Sequence, residues 1–420
     1  MSSSSAGSAA IKEPGLGAKT FATLQRVGKS LTLPIAVLPA AGLLLRLGQP
    51  DLLGQYGETA EGLGDGPLSI LGKAGDAIFA NLALLFGLGV AIGFAKKSDG
   101  STALAGVVGY LVFKNVLTYT AFDTDPDPAV FKAPDPGVFG GITIGITSAL
   151  LWQKYHRTKL PQALAFFSGR RLVPMLTALA GLLWGVVFGY VWPPVGDALD
   201  SWANWMYENG EIGAFLYGTV NRLLIPTGLH HIINNVVWFQ VPTCPTGPDT
   251  TTAGDLNCFF KATEDHEKYG LFMTGFFPIM MFALPAAAFA MVAEAKDKVA
   301  AGVLPAAALT SFLTGVTEPL EFSFMFVAPI LYGVHALLTG LSMSLSYALG
   351  ARDGFAFSAG AFDFVLNWGL ATKPWLLLII GAGFGVIYYF LFRFAIRKWN
   401  LRTPGREPDD AAVDEAMVAP

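Results

Sequence analysis

Long apolar stretches alternate with short polar ones along the first half of the chain. A membrane-spanning helix needs about 20 mainly apolar residues. Stretches of roughly this length cover residues 31–47, 76–95, 102–122, 137–152 and 173–192. The pattern predicts a regular bundle of membrane-spanning helices in this half.

Two apolar stretches of the second half are interrupted by polar and helix-breaking residues. Residues 221–239 contain Arg222, two histidines and two asparagines together with Pro226 and Gly228, which predicts a re-entrant hairpin. The short stretch 300–313 ends in a break at TGVTEP. Broken backbone at membrane depth is tolerated only where it is buried in protein or lines a cavity. Paired irregular segments of this kind are typical of a transporter's binding region.

The other segments of the second half complete the predicted fold. Residues 200–211 mix aromatic and acidic side chains, which favours an interfacial or strongly amphipathic element. Spans are predicted at 271–292, 322–347 and 374–394, with a polar loop at 242–268 and a Gly- and Phe-rich segment at 351–370. The predicted fold class is an all-α polytopic membrane protein with about ten transmembrane helices plus re-entrant hairpins.

Charged residues predict the orientation of the chain and its division into parts. Cations cluster before the first span, at residues 96–97, at 154–171 and after residue 392, whereas the intervening loops are mainly acidic. Because short cytoplasmic loops are rich in Lys and Arg, both termini are predicted to be cytoplasmic. The predicted parts are a disordered tail at 1–20, a scaffold and dimerisation half at 21–195, a transport half at 196–398 and a tail at 399–420.

Composition agrees with a membrane protein and excludes several other classes. The chain is 53% hydrophobic and 14% charged, against about 25% charged in soluble proteins. Its net charge of −4 predicts no nucleic-acid partner. Cys244 and Cys258 are too few for a cysteine metal centre, and a disulfide in an extracellular loop and two free thiols are equally good interpretations. The chain has no GxxxxGK[ST] motif, so no P-loop for ATP is predicted, and no metal or other cofactor is predicted.

The polar residues at the two interruptions are the candidate functional site. They are Arg222, His230, His231 and Glu318, with Glu321 as a further candidate. A charged group inside a bilayer costs about 3 kcal/mol, so such residues indicate a site for a substrate or an ion. A carboxylate and a neutral imidazole supply the acceptors and donors that sugar hydroxyls need.

Each candidate also has a structural alternative. Glu318 is placed to cap a helix N-terminus, and Arg222 could snorkel from a helix end towards the interface. The two histidines are adjacent and so are expected to face different directions on a helix, with one of them functional. Asn234 and Asn235 either line the pocket or bond to carbonyls freed by the break. The Arg170–Arg171 pair could attract a phosphorylated partner, although a cytoplasmic loop explains it equally well.

Two motifs resemble a known family. GLHH at 228–231 and GVTEPLEFSFMFVAP at 315–329 are similar to the signatures of the EIIC subunit of sugar phosphotransferase systems, glucose superfamily. The resemblance covers residues 20–405. The stretches LPIAVLPAAGLLLRLG at 33–48, TGFFPIMMFALPAA at 274–287 and FSAGAFDF at 357–364 favour the N-acetylglucosamine-specific branch.

The resemblance implies a homodimeric permease of the bacterial cell membrane. Its first half forms the dimer interface and its second half carries the sugar. Arg222 and His230 correspond to sugar-contacting positions, and Glu318 is expected beside the hydroxyl that receives phosphate. LRTPGRE at 401–407 resembles the start of a linker to a cysteine-bearing EIIB domain, but the 13 residues that follow in this 420-residue chain include no cysteine. The phosphoryl donor is therefore expected to be a separate phosphorylated EIIB protein.

Other functions remain open from the residues alone. One is an EIIC specific for glucose. Another is a proton-coupled symporter that uses Glu318 and His230 as a proton relay and releases unmodified sugar, and a third is a sugar sensor without net transport.

Overall fold

The structure is a computed structural model of the 420-residue chain. It describes residues 36–49, 69–120, 136–247, 251–262, 266–326 and 328–406, together with residues 26, 30, 31, 34 and 52. The predicted tail at 1–20 and most of the predicted tail at 399–420 lie outside the described residues.

The first half consists of helices that largely follow the predicted apolar stretches. They are α1 Leu38–Leu47, α2 Ser69–Ala80, α3 Leu82–Phe94, α4 Gly100–Thr120, α5 Gly137–Tyr155 and α6 Leu172–Glu208, with 3₁₀ turns at Gln162–Phe167 and Gly169–Arg171. The predicted helices at 102–122 and 137–152 correspond to α4 and α5. The stretch 76–95 is instead divided between α2 and α3, which are bent by 55° at Asn81.

Helix α6 differs from the prediction of a span ending at residue 192 and a separate interfacial element at 200–211. It runs without interruption through Pro193 and Pro194. Proline weakens a helix because it lacks an N–H. Ala203 and Met206 are fully buried in the core of the second half, and this packing holds the residues beyond the prolines in helical conformation.

The second half contains shorter and more broken helices. They are α7 Gly210–Leu224, α8 His230–Phe239, α9 Asp255–Lys261, α10 Phe276–Glu294, α11 Val303–Thr314, α12 Glu318–Met325, α13 Pro329–Ala348, α14 Ala361–Leu366 and α15 Pro374–Lys398. Helix α10 includes a π-helical turn at Ile279–Ala283. The span predicted over 322–347 is present in a shorter form as α13, and its first residues belong to α12 instead. Because Pro329 disfavours helical backbone at the residue before it, α12 ends first and α13 starts anew.

Fewer helices than predicted are long enough to cross a membrane. Among the described residues, α4, α6, α10, α13 and α15 meet the length and hydropathy expected of a span, and the bent α2–α3 pair would be a sixth. A mainly helical membrane fold is therefore confirmed, whereas the count of about ten spans is not.

The polar loop after α8 contains a small sheet closed by a disulfide. Strands β1 Thr243–Pro245 and β2 Thr251–Ala253 pair antiparallel, with Cys244 opposite Thr252. Cys244 is bonded to Cys258, the first of the two interpretations that the sequence left open. The disulfide joins β1 to α9, so the loop is anchored at both ends.

Glycines allow the helices of the first half to pack backbone to backbone. A Cβ atom on Gly141 of α5 would collide with the carbonyl of Ala83, and one on Gly181 of α6 would collide with that of Gly109. Small residues are common at contacts between membrane helices. Because the hydrophobic effect does not drive helix association in lipid, close packing must stabilise it instead. The buried apolar residues form separate clusters, one within 203–396 and two within 31–192.

One buried arginine joins the two halves. Arg46, near the end of α1, donates through Nη2 to the Leu366 carbonyl at 2.7 Å and through Nε to the side-chain oxygen of Asn367. Its side chain is 1% exposed, and Asn367 is fully buried. Asn367 in turn donates to the Gly354 carbonyl at 2.6 Å. The contact thus fixes the segment between α13 and α15 against the first half.

Candidate functional site

Helices α7 and α8 form a helical hairpin, hereafter hairpin 1. Asn234 of α8 accepts hydrogen bonds from the Tyr217 hydroxyl at 2.9 Å and from the Asn221 side chain at 2.6 Å. In a straight helix residues 217 and 234 would lie about 25 Å apart at 1.5 Å per residue, so the chain must reverse between them. Gly228 supplies the turn with a φ of 73°, a backbone conformation that favours glycine.

Helices α11 and α12 form a second hairpin, hereafter hairpin 2. Gly315 ends α11 with a φ of 72°, and its carbonyl accepts a hydrogen bond of 2.9 Å from the Ser358 hydroxyl. Glu318 is the first residue of α12. The N-cap residue is Thr317 and this helix has no side-chain cap hydrogen bond, so Glu318 lies in the first turn, where a carboxylate is favoured, without capping the helix.

The turns of the two hairpins enclose one cavity of about 110 Å³. Its polar lining comes from both hairpins and from the segment before α14, and comprises Asn221, Arg222, His230, His231, Asn234, Thr317, Glu318 and Ser358. Its apolar lining includes Leu38, Trp238, Phe276, Met280, Phe355 and Phe357. Apolar walls with a few converging polar groups are typical of small-molecule sites. Pockets for drug-sized ligands are larger, at roughly 300–1,000 Å³, so this cavity is small for such a ligand.

Arg222 lies at the end of α7 and is held from several sides. Its Nη1 atom forms an ion pair with Glu321 at 2.8 Å, and its guanidinium carbon lies 4.7 Å from the centre of the Phe276 ring. The side chain is 3% exposed, which excludes snorkelling to an interface. Its Nε atom has no hydrogen-bond partner among the described residues. Arg222 therefore retains donor capacity beside the cavity.

The two histidines lie together, which corrects the expectation that they face different directions. Their rings are 3.9 Å apart between centres, and both line the cavity. Both residues belong to the first turn of α8. His231 also packs edge-on against Phe86 of α3, with ring centres 5.1 Å apart. The Nδ1 atom of His230 has no hydrogen-bond partner among the described residues.

Of the other residues singled out in the sequence, some line the cavity and others lie outside it. Asn234 both lines the cavity and closes hairpin 1, whereas Asn235 accepts a bond of 2.9 Å from Gln240 and is not part of the lining. Glu321 is fully buried behind the cavity, where it pairs with Arg222. Arg170 forms an ion pair with Asp99 at 2.7 Å, away from the lining residues.

Several lining residues were not among the candidates. Phe355, Phe357 and Ser358 come from the Gly- and Phe-rich segment, which reaches the cavity by packing against the turn of hairpin 2. Among the described residues, no group of three or more His, Cys, Asp or Glu side chains could hold a metal ion. The site therefore offers a carboxylate, imidazoles, a guanidinium and aromatic rings.

Comparison with known protein families shows which family the chain belongs to. A family-wide sequence model described as "Phosphotransferase system, EIIC" matches residues 28–340. The chain belongs to the EIIC family. Both polar interruptions and most of the cavity lining fall inside the matched region.

Relatives of this EIIC cover nearly its whole length. It is 50% identical to the "PTS system N-acetylglucosamine-specific EIIC component" of Streptomyces coelicolor, over 99% of each chain. It is 46% identical to the N-acetylglucosamine-specific EIICB component of Bacillus subtilis, over 94% of this chain and 80% of that one. With the corresponding EIICBA component of Escherichia coli it shares 44% identity, over 93% of this chain and 58% of that one.

A solved structure shares the fold of this EIIC. It is the IIC component of the N,N'-diacetylchitobiose-specific phosphotransferase system. The two structures align with a TM-score of 0.55 over 91% of this chain and 96% of that chain, at 15% identity. The similarity supports the helical EIIC architecture and carries no information on substrate.

Proposed function

We propose that this EIIC chain takes up N-acetylglucosamine and releases it inside the cell as the 6-phosphate, with a separate phosphorylated EIIB protein as the donor. The observation that carries the proposal is the cavity in which both hairpin turns combine acid, base and guanidinium groups. The identity to relatives named for N-acetylglucosamine favours this sugar over glucose.

Each polar residue has a role that follows from its chemistry. Arg222 donates hydrogen bonds to sugar oxygens, and His230 and His231 donate or accept according to tautomer. Asn234 contributes its amide beside them. Aromatic walls such as Trp238 and Phe357 cover the apolar face of the sugar ring.

Glu318 is the proposed proton acceptor. When the 6-hydroxyl oxygen attacks phosphorus, the new O–P bond forms as the S–P bond to the EIIB cysteine breaks. The hydroxyl proton passes to the Glu318 carboxylate, as in general base catalysis. The other polar residues contribute by positioning the sugar. Positioning is the main part of catalysis in phosphoryl transfer, because the protein takes little part in the covalent steps.

The proposal also includes the arrangement of the halves. The first half is a scaffold that forms the dimer interface, and the second half, whose buried apolar residues form one cluster, moves the sugar. Because the cavity has a volume of only about 110 Å³, we expect the hairpins to move apart when sugar enters or leaves. Both termini are cytoplasmic in this arrangement, and the loop with the disulfide faces outside, where disulfides persist.

Transport assays test the function directly. Purified protein in vesicles is given radiolabelled N-acetylglucosamine with or without phosphorylated EIIB. We expect the 6-phosphate to accumulate only when the phosphorylated partner is present, and glucose to compete poorly. Accumulation of free sugar driven by a pH gradient would favour the proton-coupled symporter instead.

Sidedness of the disulfide loop is tested by cysteine labelling, because Cys244 and Cys258 are the only cysteines of the sequence. We expect a membrane-impermeant maleimide to label intact cells only after an impermeant reductant has opened the disulfide. Cys244→Ser/Cys258→Ser is the matched control and gives no signal. Labelling that requires permeabilised cells would place the loop inside and contradict the orientation.

A further inference from the structure

A chain of buried polar side chains extends from Arg222 away from the cavity. The first link is the 2.8 Å ion pair between Arg222 Nη1 and Glu321 Oε1. The same Oε1 atom lies 3.4 Å from Nε2 of His335, a polar contact whose geometry falls short of a hydrogen bond. The Nδ1 atom of His335 is 2.9 Å from the Tyr388 hydroxyl. Arg222 is 3% exposed and the other three side chains are fully buried.

This chain crosses four helices, which gives it a fixed geometry. Arg222 comes from α7, Glu321 from α12, His335 from α13 and Tyr388 from α15. The backbone carbonyl of Arg222 also accepts a hydrogen bond from the Tyr332 hydroxyl. Both the backbone and the guanidinium of Arg222 are thus tied to helices outside hairpin 1.

Stability alone does not explain such a chain. Burying an ion pair removes two charges from water, and apolar residues of similar size often stabilise a fold equally well or better. A second function of the pair therefore accounts better for its presence. The geometry supplies one, because Arg222 and Glu318 line the same cavity and carry opposite charges.

We propose that Glu321, His335 and Tyr388 are positioning residues that keep Arg222 from pairing with Glu318. Glu321 neutralises the guanidinium on the side away from the cavity. His335, which is oriented by Tyr388, directs the Glu321 carboxylate towards Arg222. Glu318 is then left as a free acceptor for the sugar hydroxyl. The inference rests on the proposed function, since it assigns Glu318 to the hydroxyl that is phosphorylated.

Removing the charge of Glu321 tests the first link. In Glu321→Gln, Arg222 is released towards Glu318, and we expect kcat/KM for phosphorylation of N-acetylglucosamine to fall at least ~30-fold, as for the loss of one partner of a buried charge pair. The fall should appear in kcat, because the captured carboxylate no longer accepts the proton, and also as a rise in KM, because Arg222 is drawn away from the sugar.

A pair of substitutions at His335 tests the second link. Gln retains a donor near the position of Nε2, so we expect His335→Gln to keep kcat/KM within about twofold. His335→Met removes the polar contact to Glu321, and we expect it to lower kcat/KM about fivefold. The double variant Glu321→Gln/His335→Met should be no worse than Glu321→Gln, since residues that act through one network are not additive. Ser342→Ala is the matched control, because it removes a different buried hydrogen bond of α13, the 2.7 Å bond to Gly275.

The outcomes separate this inference from the proposed function. If the wild-type protein neither binds nor phosphorylates N-acetylglucosamine, the proposed function fails. If wild type is active but His335→Gln is as impaired as His335→Met, or the double variant shows the product of the two losses, the positioning role is refuted. It is equally refuted if activity follows the melting temperature across all variants including Ser342→Ala. Should Glu321→Gln fail to fold, the His335 pair still decides.

Discussion

Glu318→Gln is expected to lower the rate of N-acetylglucosamine phosphorylation by about 10²–10⁴-fold, the usual contribution of a general base. Glutamine has the same size and can still hydrogen-bond to the sugar, but it cannot take the proton of the attacking hydroxyl. Sugar affinity should therefore change much less than kcat. The measurement is formation of sugar 6-phosphate by purified protein with excess phosphorylated EIIB, together with equilibrium binding of labelled sugar.

The matched control for this variant is Glu211→Gln. Glu211 is an exposed carboxylate in the first turn of α7, outside the cavity. We expect it to keep wild-type turnover, which would rule out a general effect of lost negative charge. Retained turnover in Glu318→Gln would contradict the assignment of the proton acceptor, whereas a parallel fall in affinity and rate would indicate a role in binding alone.

Arg222→Met is expected both to abolish sugar binding and to destabilise the fold. It leaves the Glu321 carboxylate buried without its cation, and breaking a buried ion pair from one side costs about 3–5 kcal/mol. Thermal unfolding in detergent measures the stability, and binding of labelled N-acetylglucosamine measures the affinity.

The double variant Arg222→Met/Glu321→Met separates these two effects. Removing both charges leaves neither one unpaired, and such replacements are often neutral or stabilising. We therefore expect the melting temperature to return towards the wild-type value while sugar binding remains absent. Recovery of binding in the double variant would show that Arg222 supports the fold and does not contact the ligand.

The hairpins could be predicted because their chemistry is unusual for a membrane segment. Arg222, His230 and Glu318 sit beside helix breakers in otherwise apolar stretches, and the structure brings all three to one cavity. The local sequence is enough to detect such residues, because a charged side chain in an apolar membrane segment is costly whatever its neighbours are.

The rest of the cavity depends on contacts between segments distant in sequence. Phe357 and Ser358 line it only because the segment before α14 packs against Gly315. Glu321 follows Glu318 by three residues, and the two lie about 60° apart around a helix. Although this spacing puts them on one face of the helix, only Glu318 lines the cavity, whereas Glu321 contacts Arg222 and His335. The continuity of α6 through Pro193 and Pro194 likewise follows from packing beyond the prolines.

The contact made by Arg46 limits how the two halves can rearrange. Its hydrogen bonds to residues 366 and 367 are made by a side chain that is only 1% exposed. Hydrogen bonds weaken steeply with distance and angle, so a shift of even 1 Å between α1 and that segment would break them. After such a shift the buried guanidinium and its acceptors would lose these hydrogen-bond partners. A displacement of α1 relative to that segment would therefore require Arg46 to give up these hydrogen bonds.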